Sequence, residues 1–132
     1  MSSLNYIIDA VRRSVTSVDG SVINKLIDLI VSSNTIFIYG SGRSGLSGQF
    51  FCVRLVQLGL DVHFVGDMTT PIIKKEDLTI LISNTGQTMS AVQTANIARG
   101  IGSNVVSVTA YTESKLANAS DVVIHLPTVK DK

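Results

Sequence analysis

The sequence predicts a three-layer α/β domain, a parallel sheet covered by helices on both faces. Five short β-branched runs recur from residue 35 onward, with helical or irregular segments between them, as strands joined by crossovers do. The third and fourth runs are nearly all apolar, as expected of strands buried on two sides. Hydrophobic residues make up 45% of the 132, enough for one core of that kind.

Two amphipathic helices open the chain. Leu4, Ile7, Ile8, Val11 and Val15 recur at helical spacing, and after a break at Asp19 and Gly20 so do Val22, Ile23, Leu26, Ile27 and Ile30. A helical N-terminal arm over 1–33 thus precedes a sheet domain over 34–127, within one domain of residues 1–132. The strand runs are "TIFIY", "DVHFV", "LTILIS", "NVVSVT" and "VVIHL". The helix after Gly45 carries Leu46, Phe50, Phe51, Val53, Leu55, Val56 and Leu58, more apolar circumference than one sheet face can bury. A neighbouring subunit or the N-terminal helices must cover the remainder, and a homodimer or homotetramer is expected. The later helix, "SAVQTANIARGIG", is Ala-rich for close packing and ends at Gly102.

Composition narrows the partners. Net charge is +1 and the basic residues are scattered, so no nucleic-acid footprint is present. The single cysteine, Cys52, lies in an apolar helical run and reads as a buried thiol. Residues 1–10 lack a leader pattern, and no apolar run reaches the roughly 18 residues of a membrane span, so a cytoplasmic protein with no membrane partner is expected.

Two loops carry the chemistry. In an open parallel sheet, ligands bind beyond the carboxyl ends of the strands, where helix N-termini expose unpaired N–H groups. The first loop lies in "TIFIYGSGRSGLSG": Gly40 and Gly42 permit positive φ and close approach of a ligand, Ser44 adds a hydroxyl, and Arg43 a planar fork suited to oxyanions. A tight turn with surface polar groups would look similar. Gly40, Gly42 and Gly45 also satisfy G-x-G-x-x-G, with Asp67 downstream for a ribose hydroxyl, which leaves a dinucleotide open. The second loop, "SNTGQTMSA", places Ser83, Thr85 and Thr88 around Gly86 at a helix start. Three hydroxyls and a cluster of backbone N–H groups suit the nonbridging oxygens of a phosphate monoester, although one hydroxyl is also expected to cap the helix.

"GSGRSG", "GDMTTP", "SNTGQT" and "SKLANASDVVIHLP", in that order over nearly the whole chain, resemble the sugar isomerase (SIS) domain and, within it, the 6-phospho-3-hexuloisomerases. The resemblance implies a five-stranded parallel sheet of flavodoxin-like order and a homo-oligomer with sites near subunit interfaces. Its ligand would be a phosphorylated sugar, hexulose 6-phosphate or fructose 6-phosphate. By motif, Ser83, Thr85 and Thr88 match the phosphate-binding hydroxyls, Asn84 and Gly86 backbone contacts, and Gly42, Arg43 and Ser44 the first loop's contacts. Thr85 stands where serine is usual and keeps the hydroxyl.

The implied reaction moves a proton between C2 and C3 through an enediol, needing a base and a donor to the developing oxyanion but no metal or other cofactor. Asp67 and Glu113 are the acids expected at the binding edge; His63 and His125 lie in strand patterns, and Glu76 precedes a strand at the other edge. The family's glutamate belongs to a loop before a long C-terminal helix, and the sequence stops at "PTVKDK", before either. A non-catalytic phosphosugar-binding module and, less favoured, a dinucleotide oxidoreductase are the alternatives.

Overall fold

A computed structural model describes residues 4–6, 8–9, 16, 18–66 and 70–127. Most of the first expected helix, over 4–15, lies outside them, as does Asp67. Helix α1 (Gly20–Ser32) starts where the Asp19 carboxylate accepts from the Ser21 N–H at 2.9 Å and the Ser21 hydroxyl at 3.0 Å. The Ser21 backbone bond, then the hydroxyl bond, hold that carboxyl below the ordinary aspartate value. Val22, Ile23, Leu26, Leu29 and Ile30 pack against the core. Ile27, expected on that stripe, is half exposed, because the buried face is rotated toward Leu29.

The five strands are β1 (Ile36–Gly40), β2 (Val62–Phe64), β3 (Leu78–Ile82), β4 (Asn104–Thr109) and β5 (Val122–His125). All pairings are parallel and the order is β2-β1-β3-β4-β5, the flavodoxin-like order. Helix α2 (Gly42–Gln57) packs with α1 on one face, over Ile36, Ile38, Leu78, Ile80 and Val106. Helix α3 (Met89–Ile101) and the short α4 (Lys115–Asn118) cover the other, where Ala91, Ala95 and Ala98 let α3 lie close to Leu81 and Val105. Gly102 ends α3 in the left-handed region at φ 100°. The layers are therefore those the sequence predicts.

The order places the site. From β1 the chain crosses outward to β2 on one side and then to β3 on the other, so β1 and β3 flank the switch point. Gly40 of β1 pairs with Ile82 of β3, and Ile82 with Val108 of β4, which brings the following loops level at one sheet edge.

Candidate functional site

The two long helices that start at this edge, α2 and α3, leave their first N–H groups without a side-chain cap, whereas the Ser114 hydroxyl caps the short α4. Ser41 is the N-cap of α2 and Thr88 that of α3, and neither side chain makes a capping hydrogen bond. The first intrahelical bonds run from Gly45 N–H to Ser41 O at 3.2 Å and from Val92 N–H to Thr88 O at 3.0 Å. Donors before them face the edge with the positive ends of two helix dipoles. The hydroxyl expected to cap α3 does not do so, because Thr88 Oγ1 lies 2.8 Å from Ser83 Oγ instead.

The glycines shape these loops in different ways. Gly42 sits at φ 58° and turns the chain into α2. Gly40 does not adopt positive φ: it is a strand residue whose missing Cβ admits the Ser44 backbone, which a Cβ would meet at 2.9 Å. With Gly45 packed on Gly40, the three glycines of the G-x-G-x-x-G pattern serve turning and helix–strand packing.

The second loop is held by the neighbouring segment from the end of β4 to the start of α4. Gly86 has φ 71°, and a Cβ there would overlap the Ser114 hydroxyl and stand 3.0 Å from Thr109 Oγ1. Ala110 N–H donates to Asn84 O at 3.0 Å, Leu116 N–H to Gly86 O at 2.9 Å, and Lys115 N–H to Gln87 Oε1 at 3.2 Å. Within the loop, Ser83 Oγ accepts from Gly86 N–H at 3.0 Å and Thr85 Oγ1 from Gln87 N–H at 3.1 Å. Tyr39 OH, at the end of β1, meets Ser90 Oγ in the first turn of α3 at 2.9 Å, which ties the two loops together.

Between the loops lies a cleft of about 390 Å³ lined by Ser41, Arg43, Ser44, Asn84, Thr85 and Thr88. Ser44 and Asn84 also border a smaller, more apolar lobe of about 120 Å³ reaching Ile82, Val108 and Leu126. Arg43 is exposed in the first turn of α2, and no carboxylate among the described residues pairs with it or lines the cleft. A cation beside a helix N-terminus is locally unfavourable. An anion in the cleft would offset both. A larger groove of about 450 Å³, lined by Cys52, Val53, Val56, Val62 and Phe64 among others, has no charged residue in its lining.

The sequence-predicted residues divide. Arg43, Ser44, Asn84, Thr85 and Thr88 line the cleft, with Gly42 and Gly86 shaping its loops. Ser83 is buried and does not line it. Ser41, passed over in the sequence, does line it; its place directly before Gly42 in the first loop was the available signal. Glu113 is exposed between β4 and α4, bordering neither lobe. His125 Nε2 lies 3.0 Å from Ala110 O, and His63 Nε2 pairs with Asp61 at 3.2 Å. Glu76 is exposed just before β3, at the opposite edge, and Cys52 is buried. Among the described residues no group of three or more His, Cys, Asp or Glu could hold a metal, and no helix is long and apolar enough to cross a membrane.

The family model for the SIS domain matches residues 29–132. The chain belongs to that family. It is 39% identical over 110 residues to a 3-hexulose-6-phosphate isomerase of Methanocaldococcus jannaschii, covering 83% of this chain and 61% of that protein. It is 34% identical over 121 residues to a 3-hexulose-6-phosphate isomerase of Bacillus subtilis, covering 92% and 65%. A crystal structure of a hypothetical protein superposes with a TM-score of 0.92 at 35% identity, over 98% of this chain and 69% of that one. The chain thus spans less than two thirds of the length of these named SIS relatives.

Proposed function

We propose that this SIS domain binds a hexulose 6-phosphate and belongs to an isomerase that interconverts 3-hexulose 6-phosphate and fructose 6-phosphate. The observation that carries the reading is the cleft at the switch point: Arg43 with no ion-pair partner among the described residues, hydroxyls from Ser41, Ser44, Thr85 and Thr88, and two uncapped helix starts, with no acid among the described lining residues. A phosphate monoester offers only acceptors and negative charge, which that set complements. The named SIS relatives support the sugar attached to it. Proton transfer between C2 and C3 then passes through an enediolate that needs a base. No carboxylate among the described residues lines the cleft, so phosphate recognition is the part of the reaction these residues carry.

That same feature favours a second reading, a phosphosugar-binding module without catalysis. In either case the protein would bind a free sugar phosphate in the cytoplasm, as a homo-oligomer with an arm over 1–33 and a sheet domain over 34–127. Thermal denaturation with ligands tests the shared part: fructose 6-phosphate should raise the midpoint by mass action, whereas fructose and NAD should not. An NAD-dependent rise without one from the sugar phosphate would overturn it. Turnover of 3-hexulose 6-phosphate separates the two readings.

A further inference from the structure

We propose that Ser83 is a positioning residue: its hydroxyl does not touch the ligand but donates to Thr88 Oγ1 and thereby aims the Thr88 hydroxyl hydrogen into the cleft. The proposal rests on the phosphate reading of that cleft. Ser83 directly follows β3 and is 2% exposed, and its N–H donates to Val108 O at 3.0 Å. Its Oγ has two partners, the Gly86 N–H at 3.0 Å and Thr88 Oγ1 at 2.8 Å. The first can only donate, so it fixes Ser83 as acceptor there.

The hydroxyl pair could in principle be oriented either way. If Thr88 donated, the Ser83 hydrogen would be a buried donor facing no acceptor among the described residues, a state that folded proteins avoid. If Ser83 donates, the Gly86 N–H and the Ser83 O–H are both satisfied. Thr88 then keeps its own hydrogen, and its side chain is the one of the two that lines the cleft. Thr88 makes no cap bond to α3 that would compete for its oxygen. The result is a directed chain from Gly86 N–H through Ser83 Oγ–H to Thr88 Oγ1–H. Each link polarises the next, so a hydrogen bond to an oxyanion at its end is strengthened.

A double-mutant cycle tests this, using calorimetric titration of the full chain with fructose 6-phosphate. Thr88→Val should weaken binding by about tenfold or more, as loss of a hydrogen bond to a charged group does, and Ser83→Ala by about three- to tenfold. The Ser83→Ala, Thr88→Val protein should bind no more weakly than Thr88→Val alone, because Ser83 acts only through Thr88. Ser83→Cys, which keeps a weak donor and acceptor, should fall between wild type and Ser83→Ala. It replaces Ser83→Ala in the cycle if that variant does not fold. Losses that multiply in the double variant would show Ser83 contacting the ligand itself and would overturn the proposal alone. Wild-type protein that binds neither fructose 6-phosphate nor inorganic phosphate would overturn the phosphate reading and the proposal with it.

Discussion

Gly45 meets Gly40 backbone to backbone: a Cβ on Gly45 would stand 2.6 Å from the Gly40 carbonyl oxygen. The start of α2 is thereby pressed onto the end of β1, which fixes where Ser41, Arg43 and Ser44 stand. Gly45→Ala must push helix and strand apart, and overpacking of this kind costs about 1–3 kcal/mol or more. Gly100 is the control. It lies exposed in α3 with open space around its would-be Cβ, so Gly100→Ala should stabilise by about 0.5–1 kcal/mol. Thermal denaturation of the two variants should show opposite shifts; equal shifts would mean that the contact at Gly45 yields freely.

Ser107 Oγ is fully buried in β4 and has no hydrogen-bond partner among the described residues. It lies two residues from Val105 in the strand and so shares its face, the one under the α3 alanines. Ser107→Ala keeps the shape and removes an unsatisfied group, so stability should stay level or rise by about 1 kcal/mol. Denaturant titration checks this, and a clear loss would reveal a partner for the hydroxyl.

The layers were legible in the sequence because a buried parallel strand must be apolar on both faces and its crossovers must be amphipathic; "LTILIS" and "NVVSVT" leave little choice. The two site loops were legible for the same reason, since each follows such a strand and opens a helix. Individual roles within them were not. Ser83 reads like its neighbours Thr85 and Thr88, and only its 2% exposure sets it apart. The clamp on Gly86 by Ser114 and the Gln87 bond to Lys115 join segments far apart in the chain, which no local pattern encodes. Gly40 looked like a turn glycine because contact between backbones leaves no mark that distinguishes it from positive φ.

Arg43 should show a trade between stability and binding. Its charge lies in the first turn of α2, against the positive end of the helix dipole, with no ion-pair partner among the described residues. Arg43→Ala should leave the ligand-free protein as stable or more stable by about 0.3–1 kcal/mol. The same change should weaken fructose 6-phosphate binding by about tenfold or more, a charge-assisted bond being lost. Melting curves with and without ligand give both numbers. A variant that loses stability and keeps its affinity would place Arg43 in the scaffold instead of the site.

The outer face of α2 carries exposed apolar side chains. The helix buries Gly45, Gly48, Cys52 and Leu55 against the sheet, while Leu46, Phe50 and Val53 remain 67%, 69% and 53% exposed. These three, with Val56, follow helical spacing and form one stripe beside the apolar groove of Val53, Val56, Val62 and Phe64. An apolar stripe of this kind is unusual on a monomer, and a second copy of the same face would cover it about a twofold axis. Sedimentation at micromolar concentration should therefore give a dimer or larger. Phe50→Asp with Val53→Asp should give a monomer of unchanged fold, since both side chains already face outward. If that variant associates like the wild type, α2 is not the contact; if the wild type is itself monomeric, the stripe has no partner of its own kind.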